Sequence, residues 1–140
     1  MSNMGGFAMA VVSILVAALA DFAFGALWYM TLSKPWMAAA RIPMTPDGRP
    51  DGNGSPLPFA LSGIAMLLVA TMMRHVFDMA GITTATEGLT AGGGIGLFFI
   101  SPWIMINNAY GMRPFRLTLI DGGYATFGCA IIGLVLTLLS

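Results

Sequence analysis

Apolar residues fill the chain in four long runs, and polar residues gather between them. The runs cover residues 6–30, 58–80, 85–109 and 115–139. Each reaches the roughly 20 residues that a helix rising about 1.5 Å per residue needs to cross a bilayer. The pattern predicts an all-α polytopic fold, four transmembrane helices in two antiparallel hairpins, forming a single domain over residues 1–140. Only the connection 31–57 has room for structure of its own. Its first part, Ser33-Lys34-Pro35-Trp36-Met37-Ala38-Ala39-Ala40-Arg41, puts Pro near a helix start ahead of an alanine run. That order predicts a short interfacial helix after the first span. Residues 43–58, rich in Pro, Gly, Asp and Asn, are expected to form an irregular hydrophilic loop. The remaining connections are tight. Gly81 is placed to end the second span as an αL cap, and Thr84 and Glu87 have capping-box spacing. Gly111-Met112-Arg113-Pro114 turns the chain into the fourth span.

Composition strengthens this picture. Hydrophobic residues make up 57% of the chain and charged residues 9%, against about 25% charged in a soluble domain. Mean hydropathy is +0.83. A net charge of zero gives no reason to expect a nucleic-acid partner. Four spans leave no residues for a soluble catalytic domain, and no enzymatic activity is expected. The first run reads as a span and not as a cleaved signal, since it lacks a basic start and exceeds an h-region of about 7–15 residues. Cys129, the single cysteine, needs no role beyond packing.

Charge sets the expected orientation. Lys34, Arg41 and Arg49 lie between the first two spans, and Arg113 and Arg116 flank the turn between the last two. Those connections share a side, with Arg74 alone on the other. The positive-inside rule then puts 31–57 in the cytoplasm and both termini outside. Trp28, Tyr29 and Trp36 bracket that loop as expected interface anchors at headgroup level.

Lipid offers no hydrophobic drive between helices, so small residues mark the expected contacts. Gly88, Gly92 and Gly96 form a groove at i+4 spacing on the third span. Ser13, Ala17, Asp21 and Gly25 form a matching row on the first, and Gly122, Gly123, Gly128 and Gly133 lie on the fourth. Such faces suit a tight bundle or a homo-oligomer. Pro102 should kink the third span, with Ser101 placed to satisfy a freed carbonyl.

The candidate chemistry is an intramembrane polar cluster. Asp21 lies roughly 13 Å inside the first span and Asp121 roughly 10 Å inside the fourth, from the same side. An intramembrane carboxylate is costly and usually faces the bundle interior or a cavity. Asn107, Asn108, Tyr110, Arg113, Arg116 and Tyr124 gather near that end. Two readings stand side by side. One is a polar pocket or proton-binding pair. The other is a hydrogen-bonded clasp, in which Asp121 accepts from Asn107, Asn108, Trp28 or Tyr29. Asp21 has no obvious local partner. Arg74 and Asp78, spaced i,i+4 beside His75, read as outer-surface anchoring. The 12 methionines are scattered and read as adaptable packing, not as a copper site. No metal, phosphate or nucleophile motif is present, and neither metal nor cofactor is expected.

These residues also carry a resemblance. Gly25-Ala26-Leu27-Trp28-Tyr29 followed by Lys34-Pro35-Trp36-Met37 resembles the front motif of a bacterial membrane family termed domain of unknown function 1761. Gly88–Gly96, Asn107-Asn108-Ala109-Tyr110, Arg113-Pro114-Phe115-Arg116-Leu117 and Leu119-Ile120-Asp121-Gly122-Gly123-Tyr124 resemble its back half. The resemblance spans all four helices, with 43–58 as a poorly matched insert, and implies a bacterial cytoplasmic (inner) membrane protein. It implies Trp28, Tyr29, Trp36, Asn108, Arg113 and Asp121 as family positions, while Asp21 lies outside the motif. Two function classes remain. The first is a non-enzymatic accessory or structural subunit, packing in a homo-oligomer or on a larger membrane complex. The second is a small proton-coupled transporter acting as a dimer through its intramembrane carboxylates.

Overall fold

Long apolar runs satisfy their backbone groups internally, because lipid offers no hydrogen bonds, and helices follow. The computed structural model describes residues 2–51 and 54–140. There the chain forms α1 (Ser2–Thr31), α2 (Ser33–Ala40), α3 (Leu57–Ala80), α4 (Ala85–Tyr110) and α5 (Phe115–Leu138). All but α2 are long and apolar enough to cross a membrane, so the protein is a multi-pass membrane protein. α1 begins four residues before the expected boundary, since Gly5 and Gly6 do not stop a helix that nothing opposes. Its 30 residues make a rod ~45 Å long, longer than a ~30 Å hydrocarbon core.

The helices do not surround a common axis evenly. α5 sits at the centre, with α4 on one side and α1 on the other, and α3 packs mainly on the outside of α1. α3 and α4 share no extensive interface with each other. The apolar core runs through Ala17 and Ala18 of α1, Ala70, Met73 and Phe77 of α3, and Cys129, Ile132 and Leu136 of α5. α2 ends at Arg41 in the αL conformation and buries Met37 and Ala39, packing onto α5.

Close backbone approach joins α4 to α5. A Cβ at Gly88, Gly92 or Gly96 would run into the carbonyl oxygens of Gly133, Cys129 and Ala125 in turn. The three glycines follow one ridge, and α5 lies along it nearly backbone to backbone. Pro102 perturbs α4 as its missing N–H requires, but as a π turn over Gly96–Ile100. The Ser101 hydroxyl lies 2.8 Å from the Gly96 carbonyl and 3.0 Å from the Gly122 carbonyl of α5, so the widened turn is braced from the neighbouring helix.

The structure adds two details to the connections. Within the irregular loop, residues 43–51 close a small local turn: Met44 pairs with Pro50, Thr45 N–H donates to the Arg49 carbonyl, and Gly48 takes φ +81. A Pro-Asp-Gly turn between two short extended pieces closes such a hairpin locally. Between α4 and α5 the left-handed residue is Met112 (φ 55), while Gly111 stays at negative φ. The α3–α4 turn uses Gly81 in αL (φ 71) and a complete capping box between Thr84 and Glu87.

Candidate functional site

The buried face of α1 repeats every four residues, and Ser13, Ala17, Asp21 and Gly25 all lie on it. Asp21 is only 1% exposed. Space for it comes from α5, where a Cβ at Gly128 would overlap Asp21 Oδ1. One turn earlier on α5, Tyr124 donates its hydroxyl to Asp21 Oδ2 at 2.8 Å. Gly25 makes room for that phenol, since a Cβ there would lie 2.9 Å from Tyr124 Cε2. Glycine on each helix thus admits the other helix's polar side chain.

A second pair reverses the donor and acceptor helices. Tyr29 of α1 donates to Asp121 Oδ1 of α5 at 2.7 Å. The two phenols touch, with the Tyr29 and Tyr124 rings 5.4 Å apart and edge to face. Around them, Phe24 stacks on Tyr124, Trp36 meets Tyr29 edge-on, and Trp28 packs on Phe24 and Phe127. Trp28 Nε1 donates to the Ile120 carbonyl at 3.0 Å, and Gly123 leaves room for its ring.

This geometry redistributes the residues singled out in the sequence. Asp21, Tyr124, Tyr29 and Asp121 come together, but the carboxylates occupy two separate Tyr–Asp pairs and not one shared pair. Trp28 and Tyr29 turn their polar atoms onto α5 and do not serve only as headgroup anchors. Asn107 is exposed, and Asn108 donates to Thr118 Oγ1 at 3.2 Å, tying the end of α4 to α5 instead of reaching Asp121. Arg113 is half-buried and Arg116 exposed. Neither pairs with an aspartate: among the described residues the single ion pair is Arg74–Asp78 at 3.4 Å. Arg74 also reaches Ser13 Oγ at 3.0 Å, which ties α3 to α1 and goes beyond surface anchoring. That contact was missed, although Ser13 stood in the buried i+4 row and hinted at a partner.

Three cavities follow the aromatic cluster inward. The largest, about 610 Å³, lies where α1, α2 and the 43–51 hairpin meet the start of α3, and Tyr29 forms part of its wall. The next, about 210 Å³, is bordered by both Tyr29 and Tyr124. The innermost, about 190 Å³, is bordered by Tyr124 and Asp21 with residues from all four spans, including Met66, Val69, Ile100 and Ile132. Asp21 Oδ1 has no hydrogen-bond partner, the one such buried side-chain atom among the described residues. No cluster of three or more His, Cys, Asp or Glu side chains is found there that could hold a metal.

No curated protein and no solved structure matches the chain. A family profile does, over residues 12–137, which includes both Tyr–Asp pairs and the glycine ridge. The match takes in most of the chain, and the chain belongs to the family described as "Protein of unknown function (DUF1761)".

Proposed function

We propose that the protein is a non-enzymatic subunit of the bacterial cytoplasmic membrane that packs, through α3 and α4, against further membrane helices of its own kind or of a larger complex. The observation that supports this is uneven burial. Within one chain, 44% of the most apolar window of α5 is buried but only 11% of those of α3 and α4. The open faces of these outer helices include Gly63 and Gly94, where an added Cβ would meet nothing within 4 Å. Small residues on a free helix face allow another backbone to approach closely. The charge distribution supports the orientation with both termini outside and 31–57 inside. Purification in mild detergent or native nanodiscs tests the assembly: a particle well above the 14.7 kDa of one chain is expected. Gly94→Leu should reduce it to single chains without unfolding them. A wild-type protein that remains a single chain in native nanodiscs would remove the proposal.

A second reading, a small proton-coupled transporter working as a dimer, draws support from the row of cavities ending at Asp21. In that reading Asp21 is the better coupling acid, because one of its oxygens is uncommitted. Substrate-driven proton uptake in proteoliposomes, lost in Asp21→Asn and kept in Asp121→Asn, is its expected signature. Uptake that survives Asp21→Asn would exclude it.

A further inference from the structure

We propose that the groove between α1 and the first half of α3 holds one anionic phospholipid of the phosphatidylglycerol type, with an acyl chain inside the groove and the headgroup at its mouth beside 31–57. One chain of the protein forms the whole site, so the proposal is independent of the assembly and transport readings.

The groove exists because α3 packs unevenly along its length. Its buried residues, Ala70, Met73 and Phe77, all lie in the half away from the 31–57 connection, where Arg74 also holds Ser13 of α1. From Leu57 to Val69 no residue of α3 is buried. The two larger cavities lie along this loosely packed half. Ala26 and Tyr29 of α1 and Phe59 and Ser62 of α3 border both, so the cavities adjoin.

Depth and volume suit a hydrocarbon chain. The α1 walls run from Met30 to Phe22, about 12 Å of helix, and one leaflet of a ~30 Å hydrocarbon core is about 15 Å deep. The outer cavity, about 610 Å³, is roughly four times the volume that holds benzene. Its walls are mainly hydrocarbon and aromatic, with Met30, Ile42, Pro58 and Phe59 among them. Left empty, such walls forfeit dispersion contacts, and water filling them would lack polar partners. An acyl chain supplies the contacts and needs no hydrogen bonds.

Charge selects the headgroup. The mouth is formed by Ser33 and Trp36 of α2 and by Ile42, Pro50 and Asp51 beyond it. Lys34, Arg41 and Arg49 are each the chain neighbour of one of these wall residues, about 4 Å away backbone to backbone. All three are exposed, and none forms an ion pair among the described residues. Asp47 and Asp51 oppose them, which leaves the mouth with one net positive charge. Long Lys and Arg stems bring that charge to a phosphate, while Asp51 accepts from the glycerol hydroxyls of the headgroup. Trp36, with an apolar body and a polar tip, suits the level where chain meets headgroup.

The test uses the full chain, delipidated in mild detergent and titrated with phosphatidylglycerol, with retained lipid counted by native mass spectrometry. One lipid per chain is expected at saturation. Affinity should be at least about fivefold above phosphatidylcholine of the same acyl chains, the effect of one net basic residue near a lipid surface. The combined variant Lys34→Gln, Arg41→Gln, Arg49→Gln should lose that preference and still retain a lipid. Ser62→Phe puts a ring where the two cavities adjoin and should lower retention of either lipid at least about tenfold. Leu61→Phe, next to it but outside both walls, should leave retention unchanged. If Ser62→Phe does not fold, Ala26→Leu narrows the groove from the opposite wall and should act in the same direction. No retained lipid, equal retention of phosphatidylcholine, or full retention in the groove-filling variants would overturn the proposal. Phosphatidylethanolamine held more tightly than phosphatidylglycerol would overturn it too, in favour of an ammonium headgroup on Asp51.

Discussion

Tyr29 and Tyr124 meet edge to face at 5.4 Å, and each donates its hydroxyl to a carboxylate on the other's helix. α1 gives a phenol to Asp121 and takes one at Asp21, while α5 does the reverse. The two bonds oppose sliding of α1 along α5, since a shift that shortens one stretches the other. Antiparallel neighbours with Asp and Tyr on facing sides can form such a crossed pair only at one register.

That arrangement predicts unequal costs for removing the two hydroxyls. Tyr124→Phe leaves Asp21 without any donor and should destabilise by about 1–3 kcal/mol. Tyr29→Phe should cost less, because Asp121 is only partly buried. The double variant should deviate from the sum of the two, as expected for residues in contact. Unfolding in mixed micelles measures all three, and equal single costs would contradict the assignment.

Asp121→Asn keeps an oxygen for the Tyr29 hydroxyl, whereas Asp121→Leu removes it. Asn should therefore be the milder substitution, with Leu costing about 1 kcal/mol or more in the same measurement.

The α4–α5 contact predicts opposite outcomes for two glycines one half-turn apart. Gly92→Ala drives a Cβ into the Cys129 carbonyl and should destabilise by about 1–3 kcal/mol, as overpacking does. Within a single chain a Cβ at Gly94 meets open space, so in micelles that hold the protein as a monomer Gly94→Ala should be neutral or stabilising by up to about 1 kcal/mol, because alanine loses less backbone entropy in a helix. Gly94→Ala is thus the control that separates crowding from helix propensity.

At Gly128 the clash is with a side chain, and that makes it reversible. Gly128→Ala should displace Asp21 Oδ1 and weaken the bond to Tyr124. Adding Asp21→Ala removes the obstacle, so that second substitution should cost less in the Gly128→Ala background than in the wild type. Additive costs would show that Gly128 does not seat the carboxylate.

The cap of α4 is open to solvent and local. Thr84→Ala removes the acceptor of the Glu87 N–H and should cost about 1 kcal/mol. Thermal unfolding in detergent detects it, and no change would mean that α3 and α4 are held in place by packing alone.

Orientation is checked separately. A phosphatase reporter, active only outside the cytoplasm, should be active when fused after Ser140, given five basic residues on the opposite side against Arg74.

Several features could be read locally. The capping box needs only Thr84 and Glu87 at the right spacing, and Gly81 needs only the end of an apolar run. Pro102 announced a disturbed helix, yet its form, a π turn, is braced by Ser101 reaching Gly122, which lies on another helix. Trp28 and Tyr29 could be read both as belt residues, since aromatics at a span's end often are, and as donors to Asp121, which Tyr29 proves to be. Nothing local says whether such a ring turns outward or onto a neighbour, and here α5 offers Ile120 and Asp121.

The amino-acid sequence by itself determined the four spans, their alternating direction and the small-residue faces, because span length and backbone satisfaction are properties of each segment alone. Tertiary structure decided which faces meet, and with them the chemistry. Tyr124 lies 103 residues from Asp21, and only the packing of α1 on α5 at one register joins them. The same packing left Asp21 Oδ1 without a donor beside a cavity, since a carboxylate's partners depend on the neighbouring helices and not on its own segment.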